Sequence, residues 1–291
     1  MRYYSFTADT SDRKIKNLLH TVLLMGNGRI RALKNGSERL FLNGKPAKLN
    51  DIAQTGDVIT VDLNDYEGEN IASPCNVPLH FVYEDEDFFV LDKQGDIATQ
   101  GPPEIKEQKT LAGAFAFHFG SNRAFHPVNR LDKGTTGLMI VAKNGYIHDR
   151  FRADLHKGLQ RTYLAITDFA PPEEKGKIEL PLMREQSASL KRVVDEKGEY
   201  ALTCYETLGR YGDRYLLRVI PYTGRTHQIR AHFAYVGCPL VGDWMYGTED
   251  KNIISRPALH SHTLRFVHPL SGEDMFFESE LPEDMKKLLN N

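Results

Sequence analysis

The residues of this chain best suited to chemistry lie in one run, His126-Pro127-Val128-Asn129-Arg130-Leu131-Asp132-Lys133-Gly134-Thr135-Thr136-Gly137, which leads into an apolar stretch at 138–142. A carboxylate such as Asp132 can act as a nucleophile. On its own, an aspartate before Lys-Gly-Thr-Thr-Gly is most simply a turn residue that accepts backbone hydrogen bonds. Arg161-Thr162-Tyr163-Leu164-Ala165 and Thr223-Gly224-Arg225-Thr226-His227-Gln228-Ile229-Arg230-Ala231-His232 supply an aromatic hydroxyl and a cluster of cations.

The familiar cofactor motifs are missing from the sequence. No GxGxxG follows a strand, no phosphate loop ends in GK[ST], and no HExxH pair occurs. His260 and His262 fall on one face of a strand without a third ligand, so no metal is expected. Cys75, Cys204 and Cys238 are far apart and form no CxxC, which speaks against a disulfide framework and a cysteine zinc site. No apolar run reaches a membrane span and no signal peptide opens the chain, so a cytoplasmic protein is expected.

The run around Asp132 resembles the arginine-leucine-aspartate motif of the RluA family of RNA pseudouridine synthases. That family usually continues aspartate-threonine-serine-glycine where this chain has Gly134-Thr135-Thr136-Gly137. Further matches follow in the family's order: Tyr83-Glu84-Asp85-Glu86-Asp87, the Arg161 and Thr223 runs, and Val241-Gly242-Asp243 through Tyr246-Gly247. Lys93-Gln94-Gly95 stands where the family has lysine-proline-x-glycine. The resemblance covers residues 79–291. It implies that Asp132 is the nucleophile, that Arg225 pairs with it, and that Tyr163 stacks on the uracil and moves a proton. It implies further that Arg130 fills the space left by an extruded uridine. His227, Gln228 and Arg230, at the start of a helix capped by Thr226, are the remaining RNA-binding candidates. Whether attack falls on the base or the ribose stays open.

Several elements must position these groups. Ile15, Leu18, Leu19, Val22 and Leu23 follow helical spacing. A second short helix through Ile30 should stop at Asn35-Gly36. Asn43-Gly44 reads as a hairpin turn, and residues 58–61 as a strand. This stretch resembles the S4 RNA-binding module in its basic helices, its Leu42-Asn43-Gly44-Lys45 turn and its Gly56-Asp57-Val58-Ile59 ending. It has Ser11-Asp12-Arg13-Lys14-Ile15 where that family opens with arginine-leucine-aspartate. Charge divides the same way: residues 1–50 carry ten Lys or Arg against three Asp or Glu, and residues 51–100 carry one against twelve. The net charge of −2 hides this asymmetry. Residues 64–78 read as an acidic linker.

Beyond the linker, strands are expected at 88–91, 138–142 and 163–166. A hairpin should join 204–208 to 215–220 around Gly209-Arg210-Tyr211-Gly212-Asp213. Asn144 should cap a helix bearing Ile147, Phe151 and Leu155, with Arg150, Arg152 and Lys157 outward, and Pro282 should open a last helix.

The expected fold class is α+β: a mixed or antiparallel-sheet catalytic domain at 79–291, a linker at 71–78 and a small S4-like α+β domain at 1–70. The expected function is cofactor-independent conversion of specific uridines to pseudouridine in structured RNA, ribosomal or transfer. The oligomeric state is left open, a monomer being plausible. One rival is an RNA-binding or assembly factor that keeps the fold without catalysis, against which Asp132, Tyr163 and Arg225 together argue. Another is a carboxylate hydrolase of small nucleotides, which needs a second carboxylate that no motif specifies.

Overall fold

The computed structural model describes residues 2–33, 39–64, 72–101, 109–121, 123–154, 158–186 and 189–290. The N-terminal unit contains β1 (Tyr3–Thr7), β2 (Arg13–Lys14), α1 (Ile15–Thr21), α2 (Asn27–Ala32), β3 (Leu40–Leu42), β4 (Lys45–Pro46), β5 (Ile52–Ala53) and β6 (Val58–Asp62). Its main sheet runs β1-β6-β3-β4, and every pairing in it is antiparallel. Ile15, Leu18, Leu19 and Leu23 are buried as their spacing requires, whereas Val22 is exposed beyond the helix end. Asn43 and Gly44 turn the two-residue β3–β4 hairpin with φ of 51° and 76°, the pair of positive values a type I′ turn demands. The expected helix stop at Asn35-Gly36, residues 65–71 of the acidic linker, and Leu155 and Lys157 lie outside the described residues.

The remaining chain forms β7 (Phe81–Glu84), β8 (Phe88–Lys93), α3 (Leu111–Phe119), β9 (His126–Pro127), β10 (Thr136–Ala142), α4 (Gly145–Asp154), β11 (Gln160–Thr167), β12 (Lys175–Glu179), β13 (Leu182–Arg184), β14 (Arg192–Val194), β15 (Leu202–Tyr211), β16 (Arg214–Pro221), α5 (Gln228–Tyr235), β17 (Leu259–Val267), β18 (Asp274–Glu278) and α6 (Glu283–Leu289). The large sheet follows β12-β15-β16-β11-β17-β10-β8-β7, with β18 against β17 and β9 against β10. β10 and β17 run parallel and the other pairs antiparallel, so the sheet is mixed and the fold is α+β. All seven residues of β10 are buried, as a continuous apolar strand at the middle of a covered sheet should be. The Asn144 side chain accepts from the Ile147 amide at 2.9 Å and caps α4 as expected.

Two elements depart from the sequence pattern. β15 and β16 extend to a tight turn at Gly212-Asp213, and Gly209 sits at a bulge in β15 instead of in the connection. The helix α3 has no amphipathic spacing, because residues 111–116 are all buried and the helix is apolar nearly all round.

The N-terminal unit does not keep a core to itself. Leu18, Leu19, Leu23 and Ile30 join one contiguous cluster with Phe88, Val90, Tyr146, Phe151 and Phe266. The Tyr146 hydroxyl donates to the Leu23 carbonyl at 2.9 Å, and Arg150 reaches the same oxygen at 3.4 Å. Arg2 forms a two-point pair with Asp87, at 2.8 and 3.0 Å. Burial of this seam welds two units that the sequence presents as separated by a linker. Tyr146→Phe deprives a buried carbonyl of its shorter donor and is expected to cost about 1–2 kcal/mol. Urea unfolding should show this as a lower midpoint at unchanged slope, and an unmoved midpoint would count against the seam.

Candidate active site

Asp132 sits in the loop that feeds β10, and that loop is held at each carbonyl. Thr99 Oγ1 donates to the Leu131 carbonyl at 2.8 Å and accepts from its amide at 3.2 Å. The Asp132 carbonyl accepts from the Thr135 amide at 3.0 Å. Lys93 Nζ and Arg256 Nη1 donate to the carbonyls of Lys133 and Gly134, at 3.1 and 3.2 Å. The backbone of Asp132 therefore makes the turn, and its side chain faces two other groups. Oδ2 lies 3.4 Å from Arg230 Nη1 and 3.9 Å from His227 Nε2.

The register of the sheet brings Tyr163 to the same place. Ser261 in β17 stands opposite Gly137 of β10 in parallel and opposite Tyr163 of β11 in antiparallel. A side chain at Gly137 would put its Cβ 2.2 Å from the Ser261 carbonyl oxygen, and φ there is 101°, so only glycine permits this approach. A bulge between Thr162 and Tyr163 re-aims the tyrosine. Tyr163 is buried, and burial pushes its phenol up, with Asp132 adding in the same direction against the opposing pull of Arg161 and Ser261. It is held as a neutral hydroxyl.

Arg230 occupies the first turn of α5 and is buried. It donates from Nε and Nη2 to the two oxygens of Asp243 at 2.7 and 2.8 Å, and its guanidinium lies over the Tyr246 ring at 5.1 Å. Burial works against the cation, but the Asp243 pair outweighs it and the guanidinium is pushed up. His227 is the residue before α5, at φ 54°, a left-handed conformation uncommon outside glycine and stored most often at functional sites. Its Nδ1 lies 3.2 Å from the Tyr246 hydroxyl, and burial pushes the imidazole down.

The sequence-predicted residues divide. Asp132, Tyr163, His227 and Arg230 converge, whereas Arg225 does not join them. Its Nε donates to the Tyr200 carbonyl at 3.0 Å and its Nη1 pairs with Glu199. The partner of Asp132 is thus Arg230, not Arg225, because residue 225 precedes the helix and leaves toward the 199–200 segment. Gln228 is also displaced from its expected role. It is buried, accepting from Thr223 Oγ1 and the Arg225 amide and donating to the Leu202 carbonyl and Thr203 Oγ1, so it braces the turn and has no free edge for RNA. Thr226 does not cap α5. Arg130 is exposed and makes no ion pair among the described residues.

Comparison with known proteins places the chain in a family. A family model described as RNA pseudouridylate synthase matches residues 87–235, a span that holds Asp132, Tyr163 and Arg230. The chain belongs to that family. It is 33% identical over 261 residues to the RNA pseudouridine synthase YjbO of Bacillus subtilis, covering 88% of this chain and 92% of that one. It is 36% identical over 251 residues to the ribosomal large subunit pseudouridine synthase D of Vibrio cholerae, covering 80% and 76%. Human RNA pseudouridylate synthase domain containing 1 superposes with a TM-score of 0.57 at 26% identity, covering 70% and 83%. This RNA pseudouridine synthase is therefore an isomerase that moves uracil from an N- to a C-glycosidic linkage, in a family that works through an aspartate.

Metal-ligand geometry occurs elsewhere in the synthase. Among the described residues, Asp85, Asp87 and His268 bring ligand atoms within 4.8 Å of one another, but Arg2 already pairs with Asp87. His260 is engaged by Thr136 Oγ1 at 2.9 Å and the Ser279 carbonyl at 3.2 Å, and burial pushes it down to about 4.

Thr99, Lys93, Asp243 and Tyr246 carry the site without having been singled out as site residues in the sequence. Asp243 and Tyr246 had a signal as members of the Val241-Gly242-Asp243 and Tyr246-Gly247 run, and Lys93 as the lysine of Lys93-Gln94-Gly95; Thr99 had none. Lys93 is fully buried, and burial pulls its ammonium from the ordinary 10.5 down to about 7. Between those two values the unfolded chain holds a proton that the folded chain has released, so stability rises with pH across that window. Lys93→Met is expected to abolish this rise. Unfolding free energies near pH 7 and at about pH 10 should converge in the variant and diverge in the wild type.

Proposed function

We propose that this synthase modifies a uridine of ribosomal RNA, with Asp132 as nucleophile, Arg230 as its cationic partner and Tyr163 as the phenol set against the uracil. The observation that carries this reading is the 3.4 Å approach of Arg230 Nη1 to the Asp132 carboxylate, in a site where Asp243 fixes the guanidinium from behind. The cation offsets the charge that a desolvated carboxylate would otherwise carry alone. Tyr163 offers an aromatic face and a hydroxyl that stays protonated. Ribosomal RNA is favoured over transfer RNA by the relatives named for the large ribosomal subunit. The cytoplasm is the compartment that substrate implies.

The basic N-terminal unit is read as an S4-like RNA-binding module. Arg13, Lys14, Arg31, Lys45 and Lys48 are exposed on it and available to phosphates. Exposed Arg130, two residues before the nucleophile, is the group that enters the stack when the uridine leaves it, and His227 contacts the extruded nucleotide.

Asp132→Asn keeps the shape of the side chain without its charge. It should leave RNA affinity within about twofold and abolish pseudouridine formation. Mapping pseudouridine in ribosomal and transfer RNA from cells with and without the synthase identifies the substrate, and appreciable turnover by the purified variant would overturn the nucleophile. Arg130→Ala should slow single-turnover reaction most on a well-stacked uridine and least on an unpaired one, since unstacking costs a few kcal/mol. Equal losses on both substrates would remove Arg130 from extrusion.

A further inference from the structure

Arg256, in the segment before β17, meets three separate glycines. A Cβ at Gly95 would lie 2.9 Å from its Cδ, one at Gly134 would lie 3.3 Å from its Cβ, and one at Gly242 would lie 2.5 Å from its carbonyl oxygen. Gly134 lies in the Asp132 loop, and Gly242 precedes the aspartate that grips Arg230. Arg256 is 4% exposed. Its Nε and Nη2 hold the two oxygens of Asp284, in the first turn of α6, at 2.8 and 2.7 Å. Its Nη1 donates to the carbonyls of Gly134, Pro257 and Leu259 at 3.2, 3.2 and 3.3 Å. A buried guanidinium is costly without a counter-charge, and Asp284 provides it while leaving one edge aimed at the loop. Lys93 holds the adjacent carbonyl, that of Lys133. Two buried nitrogen donors, the Lys93 amine and the Arg256 guanidinium, thus grip consecutive carbonyls immediately after Asp132.

We propose that Arg256, anchored by Asp284 of the C-terminal helix, is a positioning residue that sets the Asp132 carboxylate against Arg230 by fixing the Gly134 carbonyl. It touches no reacting atom. Its effect passes through the backbone, where a displacement on the order of 1 Å can slow a reaction about 10²-fold. The inference rests on the reading of Asp132 as nucleophile.

The test compares Arg256→Ala, Asp284→Asn and Asp132→Asn in the full chain, by single-turnover pseudouridine formation, RNA affinity and thermal unfolding. Arg256→Ala should lower the single-turnover rate by about 10- to 100-fold with RNA affinity unchanged. A crevice of about 670 Å³ borders Lys93, Gly95, Thr136, Arg256 and Asp284, so guanidinium ion added at millimolar concentration can reach the vacated position. It should restore part of the rate to Arg256→Ala and none to Asp132→Asn. Asp284, with its side chain 43% exposed, is replaceable at lower structural risk if Arg256→Ala fails to fold. Asp284→Asn should slow the same step several-fold at unchanged affinity. A folded Arg256→Ala or Asp284→Asn variant with wild-type rate, or one whose only defect is RNA affinity, overturns the positioning role. So does a slow Arg256→Ala variant that guanidinium cannot rescue. Activity in Asp132→Asn would instead overturn the nucleophile, and the two failures are told apart because each is read on its own variant.

Discussion

A buried arginine between two carboxylates is the constraint on which the site depends. Arg230 cannot keep its charge in the interior unpaired, since desolvation of a guanidinium costs several kcal/mol. Asp243, fully buried, meets it on two nitrogens, and the turn that presents Asp243 is itself closed by bonds from the Met245 and Tyr246 amides to the same carboxylate. The third nitrogen is left to one direction only, toward Asp132. The place of the cation beside Asp132 is therefore decided by Asp243, which holds the other two nitrogens of the guanidinium.

The sheet solves the complementary problem of bringing distant strands to that point. Ser261 stands opposite both Gly137 and Tyr163, so one position of β17 sets the start of β10 beside the bulge of β11. The parallel contact is short and depends on the missing side chain at Gly137. An all-antiparallel arrangement would reverse β10 relative to β17 and carry the Asp132 loop to the opposite end of the sheet.

Much of this was legible from residue type and order. Asp132 and Tyr163 stood out because several motifs occurred in one sequence order, and continuous apolar runs marked β8 and β10. Spacing alone did not separate Arg225 from Arg230, since both are cations in one ten-residue run and only the entry angle of α5 decides which faces inward. Gln228 looked like an RNA contact for the same reason: polarity says nothing about which side of a helix start is buried. Lys93 matches a lysine position of the family, but that it holds the Lys133 carbonyl, and that Thr99 holds Leu131, leaves no signature in the sequence, because the acceptors are backbone carbonyls. The helix α3 carries no periodic signal, because all of residues 111–116 are buried, more than one full turn.

The shared core changes how the uneven charge of the chain should be understood. Residues 51–100 carry twelve acidic groups, and part of that charge is consumed internally, where Arg2 pairs with Asp87 and Glu86 across the seam. The basic residues of the N-terminal unit that stay exposed, Arg13, Lys14, Arg31, Lys45 and Lys48, are not drawn into that seam. Because Leu23 and Tyr146 fix the unit to α4, and α4 follows directly from β10, those cations are held at a defined distance from the strand that the Asp132 loop feeds. A flexible tether would leave that distance to chance, at an entropic cost paid on each binding event. Fusing the cores moves that cost into folding, so that the exposed cations of the N-terminal unit and the Asp132 loop keep one register.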